Sequence, residues 1–137
     1  PRRRESSSFG NKYLFFVLAL YGAYYYATQH INLSDPLVYA RAHKNADWAP
    51  ALDYYVGFYY YQRSEFPKAQ QAFTQLLADY PTGQYAAKGL YLLGDSADNN
   101  HDWETAKATL TRYLDEYPGG AEVNVVRKRL DILKYQH

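Results

Sequence analysis

Two stretches of the chain carry one pattern at a spacing of 37 residues. Gly57, Phe66, Ala69, Phe73, Leu77, Tyr80 and Pro81 line up with Gly94, Trp103, Ala106, Leu110, Leu114, Tyr117 and Pro118. A fixed period of this size marks one supersecondary unit used twice, each copy burying its apolar face against its neighbour. Such stacks present surfaces to partners, which points away from catalysis.

Local signals divide the repeated region into helices. Ser34-Asp35-Pro36 reads as a helix start, with a capping side chain and Pro in the first turn. A short helix is predicted from there to about Lys44, followed by the loop Asn45–Pro50. Five further helices are predicted at about 51–62, 65–78, 84–98, 102–116 and 121–135. Ser64 is a candidate cap for the second of these, and Pro67 falls in its first turn, where a missing N–H costs little. Asp79-Tyr80-Pro81 and Pro118-Gly119-Gly120 are stops, and Asn99-Asn100 make a turn. Val123, Val126, Leu130 and Leu133 form one apolar stripe, with Arg127, Lys128, Asp131 and Lys134 facing elsewhere. One apolar and one charged face is what a terminal capping helix needs.

The offsets resemble the tetratricopeptide (TPR) repeat family. Val56-Gly57-x-x-Tyr60, Ala69-x-x-x-Phe73 and Pro81 fit its pattern, as do Leu93-Gly94, Ala106-x-x-x-Leu110 and Pro118. Asp53 departs from it by replacing an early Trp, and Ala97 by replacing an aromatic. The period exceeds the standard 34 through Thr82–Ala87, a join similar to the bacterial envelope subgroup that includes outer-membrane assembly lipoproteins and Tol-associated periplasmic proteins. The resemblance covers about residues 50–135. It implies an all-α solenoid with repeats at 51–83 and 88–120 and a capping helix at 121–135, inside a domain spanning 51–137. It also implies a concave face built from the first helix of each pair. Carried over residue by residue, that face comprises Tyr54, Phe58, Tyr61, Lys88, Tyr91, Asp95 and Asp98. Aromatic anchors beside a few charges suit a partner-binding groove. Packing of these Tyr residues on the Pro36 helix is the competing role. Tyr55 and Tyr59, on another face, are expected to be packing residues.

Upstream, no Asp, Glu, Lys or Arg occurs from Tyr13 to Ser34. A bilayer core of ~30 Å needs about 20 helical residues. Residues 11–32 are therefore expected to form a transmembrane anchor, with Tyr24, Tyr25 and Tyr26 in the aromatic belt. A cleaved signal peptide shares the basic start and apolar centre, and a buried helix is the third alternative. Arg2, Arg3, Arg4 and Lys12 place the tail, residues 1–10, on the cytoplasmic side of an inner membrane and the repeat domain in the periplasm. Residues 33–50 are then a short helix and linker. Ala19, Gly22, Ala23 and Tyr24 are small and aromatic side chains suited to helix contacts in a bilayer. His30, at the anchor's end, is a candidate ligand to haem or a pigment, although an interfacial His needs no such role.

Composition narrows the chemistry. The 137 residues carry a net charge of +1, which makes no electrostatic case for nucleic acid. With no Cys, thiolate sites are excluded. His30, His43, His101 and His137 lack ligand spacing, and Asp95 with Asp98 has no nucleophile beside it. No cofactor or metal is expected, and the chain is not expected to be an enzyme. Two repeats are few, since at least three are normally needed for stability. An Arg/Ser-rich tail that is ordered would also need something to hold it. The expectation is a non-catalytic, membrane-anchored scaffold or accessory subunit, with the lipid bilayer and other envelope proteins as partners. A chaperone-like periplasmic peptide binder is one alternative. An accessory subunit of an energy-converting complex, using His30, is another.

Overall fold

The computed structural model describes the backbone of residues 5–30 and 34–136, and the side-chain surroundings of residues 13–27 and 36–136. Its helices are α1 (Glu5–His30), α2 (Ser34–Ala42), α3 (Ala49–Gln62), α4 (Phe66–Asp79), α5 (Ala86–Asn99), α6 (Trp103–Glu116) and α7 (Val123–Gln136), with no strand among the described residues. They divide into two compact units, Pro1–Asp35 and Pro36–His137.

The first unit corrects the expected membrane anchor. Among the described residues no helix is long and apolar enough to cross a membrane. The 26 residues of α1 reach about 39 Å at 1.5 Å each, so the shortfall is in apolarity and not in length. Its strongly apolar run is confined to Leu14–Leu20; Tyr21, Gly22, Tyr24, Tyr25, Tyr26, Thr28, Gln29 and His30 fill most of the rest. Each Tyr hydroxyl, Gln and His is a polar group that hydrocarbon cannot satisfy. The fold class is all-α without the transmembrane helix assigned to residues 11–32. Large apolar side chains from Tyr13 to Tyr26 are exposed, and the space beside Gly22 is open. The His30 side chain and the tail at 1–4 lie outside what is described.

The second unit is a repeat stack. Its first helices, α3, α5 and α7, begin at Ala49, Ala86 and Val123, each 37 residues after the last; α4 and α6 keep the same interval. The turns before the first helices share one backbone hydrogen bond: Ala49 N to Ala46 O (3.1 Å), Ala86 N to Gly83 O (3.0 Å) and Val123 N to Gly120 O (3.3 Å). Thus α7 is a third copy of the first helix, and α2, ending 37 residues before α4 ends, is in the register of a second helix.

Close approach within each pair depends on the repeated glycine. A Cβ on Gly57 would lie 2.8 Å from the Phe73 ring, and one on Gly94 would collide with Leu110. Ala69 and Ala106 are fully buried with Phe73, Leu76, Leu110 and Tyr113. Burying each Leu or Phe of this set contributes about 1.5–3 kcal/mol. The pairs then join through α4 against α5 and α6 against α7, where Val126, Leu130 and Leu133 are buried. The α7 residue in the register of Gly57 and Gly94 is Asp131, and it is exposed. Arg127 and Lys134 flank it at positions held by buried Leu90 and Ala97 in α5. Charge on that face ends the stack.

Ser64 does not cap α4. It adopts a left-handed backbone, φ 58°, as its repeat partner His101 does at 60°. Glu65 stands at the α4 cap with no side-chain hydrogen bond, whereas Asp102 caps α6 by accepting from Thr105 N.

The short helix α2 is seated by buried Leu37 and Ala40. Gln75 Nε2 donates to Leu37 O (2.7 Å) and to Asp53 Oδ1 (3.0 Å). Arg41 pairs with Asp79 at 3.2 Å, and Tyr80 Oη donates to Lys44 O at 2.7 Å.

Candidate partner-binding face

The three first helices are linked on one side by side chains from each. Tyr54 of α3 stacks on Tyr85 at the start of α5, centroids 5.0 Å apart and planes 27° apart. It also stacks on Phe58 at 6.2 Å. Tyr55 meets the edge of Tyr85. Further along, Tyr61 Oη donates to Asp95 Oδ2 at 2.5 Å. Arg129 of α7 pairs with Asp95, and with Asp98 at 2.9 Å. A path Tyr61–Asp95–Arg129–Asp98 therefore crosses α3, α5 and α7.

A second polar knot lies at the opposite end of these helices. Lys88 Nζ donates to Glu122 Oε1 (2.8 Å), and Tyr113 Oη donates to Glu122 Oε2 (2.9 Å). Lys88 also lies over the Tyr91 ring, 5.7 Å from its centre. The hydrogen bond from Lys88 holds the Glu122 carboxyl below its ordinary range, and the same bond raises Lys88. Burial, then the bond to Asp95, pushes the Tyr61 hydroxyl far up, so it stays a donor. Burial likewise raises Tyr54.

Of the residues the sequence offered for a groove, the structure brings Tyr54 and Phe58 into one aromatic ledge and Lys88 and Tyr91 into a cation–ring pair. Tyr61, Asp95 and Asp98 join the polar path. Asp95 is buried, held between the Tyr61 hydroxyl and the Arg129 guanidinium. Among the described residues, the ring neighbours of Tyr54 are Tyr55, Phe58, Phe73 and Tyr85, none of them on α2. Sequence reasoning missed Tyr85, Glu122 and Arg129. For two of them the period is a signal, since Tyr85 and Glu122 stand 37 residues apart; the same period places Lys128, Ile132 and Tyr135 beyond Tyr91, Asp95 and Asp98. Lys128, Ile132 and Tyr135 are exposed, and their register continues the row onto α7. Tyr55 and Tyr59, expected to pack, are 59% and 43% exposed. Their α5 counterparts Leu92 and Ser96 are buried.

Elsewhere the surface offers little chemistry. A dent of about 320 Å³ on the α4–α5–α6 side is lined by residues such as Thr74, Leu90, Ala108 and Arg112. Among the described residues no group of three or more His, Asp or Glu could hold a metal.

Paired antiparallel helices at a fixed register, a Gly/Ala contact inside each pair and a row of first helices along one side define a TPR-like repeat protein. Its sequence matches the YfiO family, described as outer membrane lipoprotein, over residues 47–127. That is more than half of the chain, and the chain belongs to this family. A search of curated proteins finds no match. The matched segment runs from the turn before α3 into α7. The family description also corrects the expected placement as a single-span inner-membrane protein: the family is one of the outer membrane, and no described helix can span. The 137 residues contain no Cys, so none of them offers a thiol for acylation.

Proposed function

We propose that the chain is a non-catalytic scaffold of the envelope that binds another envelope protein along the face of α3, α5 and α7. One observation carries this reading. On that face Arg129 is committed to Asp95 and Asp98, and Lys88 to Glu122, while the rings of Tyr54, Phe58 and Tyr91 stand half-buried beside them. Rings held rigidly by neighbours lose little freedom on binding and supply most of the contact energy of an interface. The fixed ion pairs set a polar rim, which selects a partner more than it tightens the complex. The family supports an envelope setting, and repeat stacks of this kind work by presenting such surfaces.

The test is affinity purification of the full chain from its own membranes in mild detergent, wild type beside Tyr54→Ala/Tyr91→Ala. The reading expects a stoichiometric partner with the wild type and its loss with the variant, whose helical circular dichroism stays intact. An unchanged partner set with the folded variant contradicts it. A fixed partner also separates this reading from transient capture of many unfolded clients.

A further inference from the structure

Asp53 is the only charged residue of α3, and it is 1% exposed. Packing does not require a carboxyl there. The same register position in α5 holds Leu90, equally buried. One carboxyl oxygen, Oδ1, accepts from the Gln75 amide; the other, Oδ2, is buried with no partner. The same Gln75 nitrogen reaches the backbone carbonyl of Leu37 in α2. A single amide thus ties a buried acid to the short helix seated over it. An unpaired buried carboxylate is costly, and water can reach it only if something covering it moves. With Leu37 and Ala40 as its buried side chains, α2 is the cover with the least to lose.

We propose that Asp53 and Gln75 form a pH-sensitive latch: the neutral acid keeps α2 seated on α4, and ionisation of Asp53 releases it. The groups facing Asp53 are Arg41 from α2 and Asp79 and Tyr80 at the end of α4. Arg41 favours the ionised acid and Asp79 opposes it. The two are bonded to each other at 3.2 Å, so their fields at Asp53 largely offset. Burial dominates and raises the acid to about 6 from an ordinary 3.8. The seated state therefore holds an extra proton between those two values. Seating is favoured at acid pH, weakens as pH rises through about 6, and is level above that. A difference of about two units corresponds to a roughly 10²-fold fall in the seated-to-released ratio.

Amide hydrogen exchange of the full chain between pH 4.5 and 7.5, expressed as protection factors, tests this. Protection of the α2 amides should drop by one to two orders of magnitude as pH rises to about 6 and level off above it, while α5 and α6 amides hold steady. In Asp53→Asn, which keeps an acceptor for Gln75, α2 protection should be flat with pH. A flat wild-type profile overturns the latch, and so does a titration in Asp53→Asn like that of the wild type. A parallel loss across α5 and α6 also overturns it, because the acid would then act on the whole domain. If Asp53→Asn does not fold, the wild-type contrast between α2 and α5–α6 still decides.

Discussion

At the scale of single residues, polar groups do their work by committing one another. Glu122 receives Lys88 and Tyr113 together and so joins α5, α6 and the turn before α7. Its folded-state proton affinity is lowered, chiefly by the Lys88 hydrogen bond. The sign follows: the stabilisation is present above its unfolded value, ordinarily 4.5, and is lost as pH falls through the lower folded value. Glu122→Gln should therefore lower the melting temperature at pH 7 and flatten its fall on acidification. Equal acid slopes for the two proteins would contradict this. Ser64 offers a test of the opposite kind. Its left-handed backbone suits glycine, so Ser64→Gly should gain about 0.5–1 kcal/mol, a rise of a few degrees by calorimetry. A loss of stability would show that the Ser64 side chain has a role the geometry does not give it. The sequence could not distinguish Ser64 as cap from Ser64 as turn. The cap rule ranks residue types, whereas the turn here is fixed by how α3 and α4 meet.

At the scale of elements, the helices were largely legible because Pro and Gly punctuate them. Tyr80-Pro81 and Tyr117-Pro118 close α4 and α6 within a residue of the expected stops, and Gly57 and Gly94 mark where paired helices touch. That contact predicts a definite cost. Gly94→Leu forces a side chain into Leu110 and should destabilise by about 1–3 kcal/mol; an unchanged denaturation midpoint would contradict the pairing. Gly22→Leu, beside open space, should cost nothing in the same assay. The misreading of α1 has an equally physical cause. An aromatic belt at Tyr24, Tyr25 and Tyr26 leaves only Leu14–Leu20 as a strongly apolar run, too short for a bilayer core. Tyr55 and Tyr59 failed for a related reason. Their counterparts in α5 are buried, and nothing in their own sequence tells that no pair precedes them in the described stack. The role of α7 is half legible: its apolar stripe stands out, but Asp131 at the place of the repeated glycine hides its membership of the 37-residue register.

At the scale of the whole repeat unit, the two ends differ. The C-terminal end closes on Arg127, Asp131 and Lys134, while the N-terminal end presents Val38, Tyr39 and Trp48, with Tyr39 stacked on Trp48 at 5.5 Å. Between them runs the row of first helices on which the functional account rests. Site-specific photo-crosslinking in native membranes tests that account most directly. A photoreactive residue at Tyr91 or Ile132 should capture one defined partner, and the same residue at Gln71 or Lys107 on the second helices should not. Equal capture from both sides, or capture from the second helices alone, would contradict it.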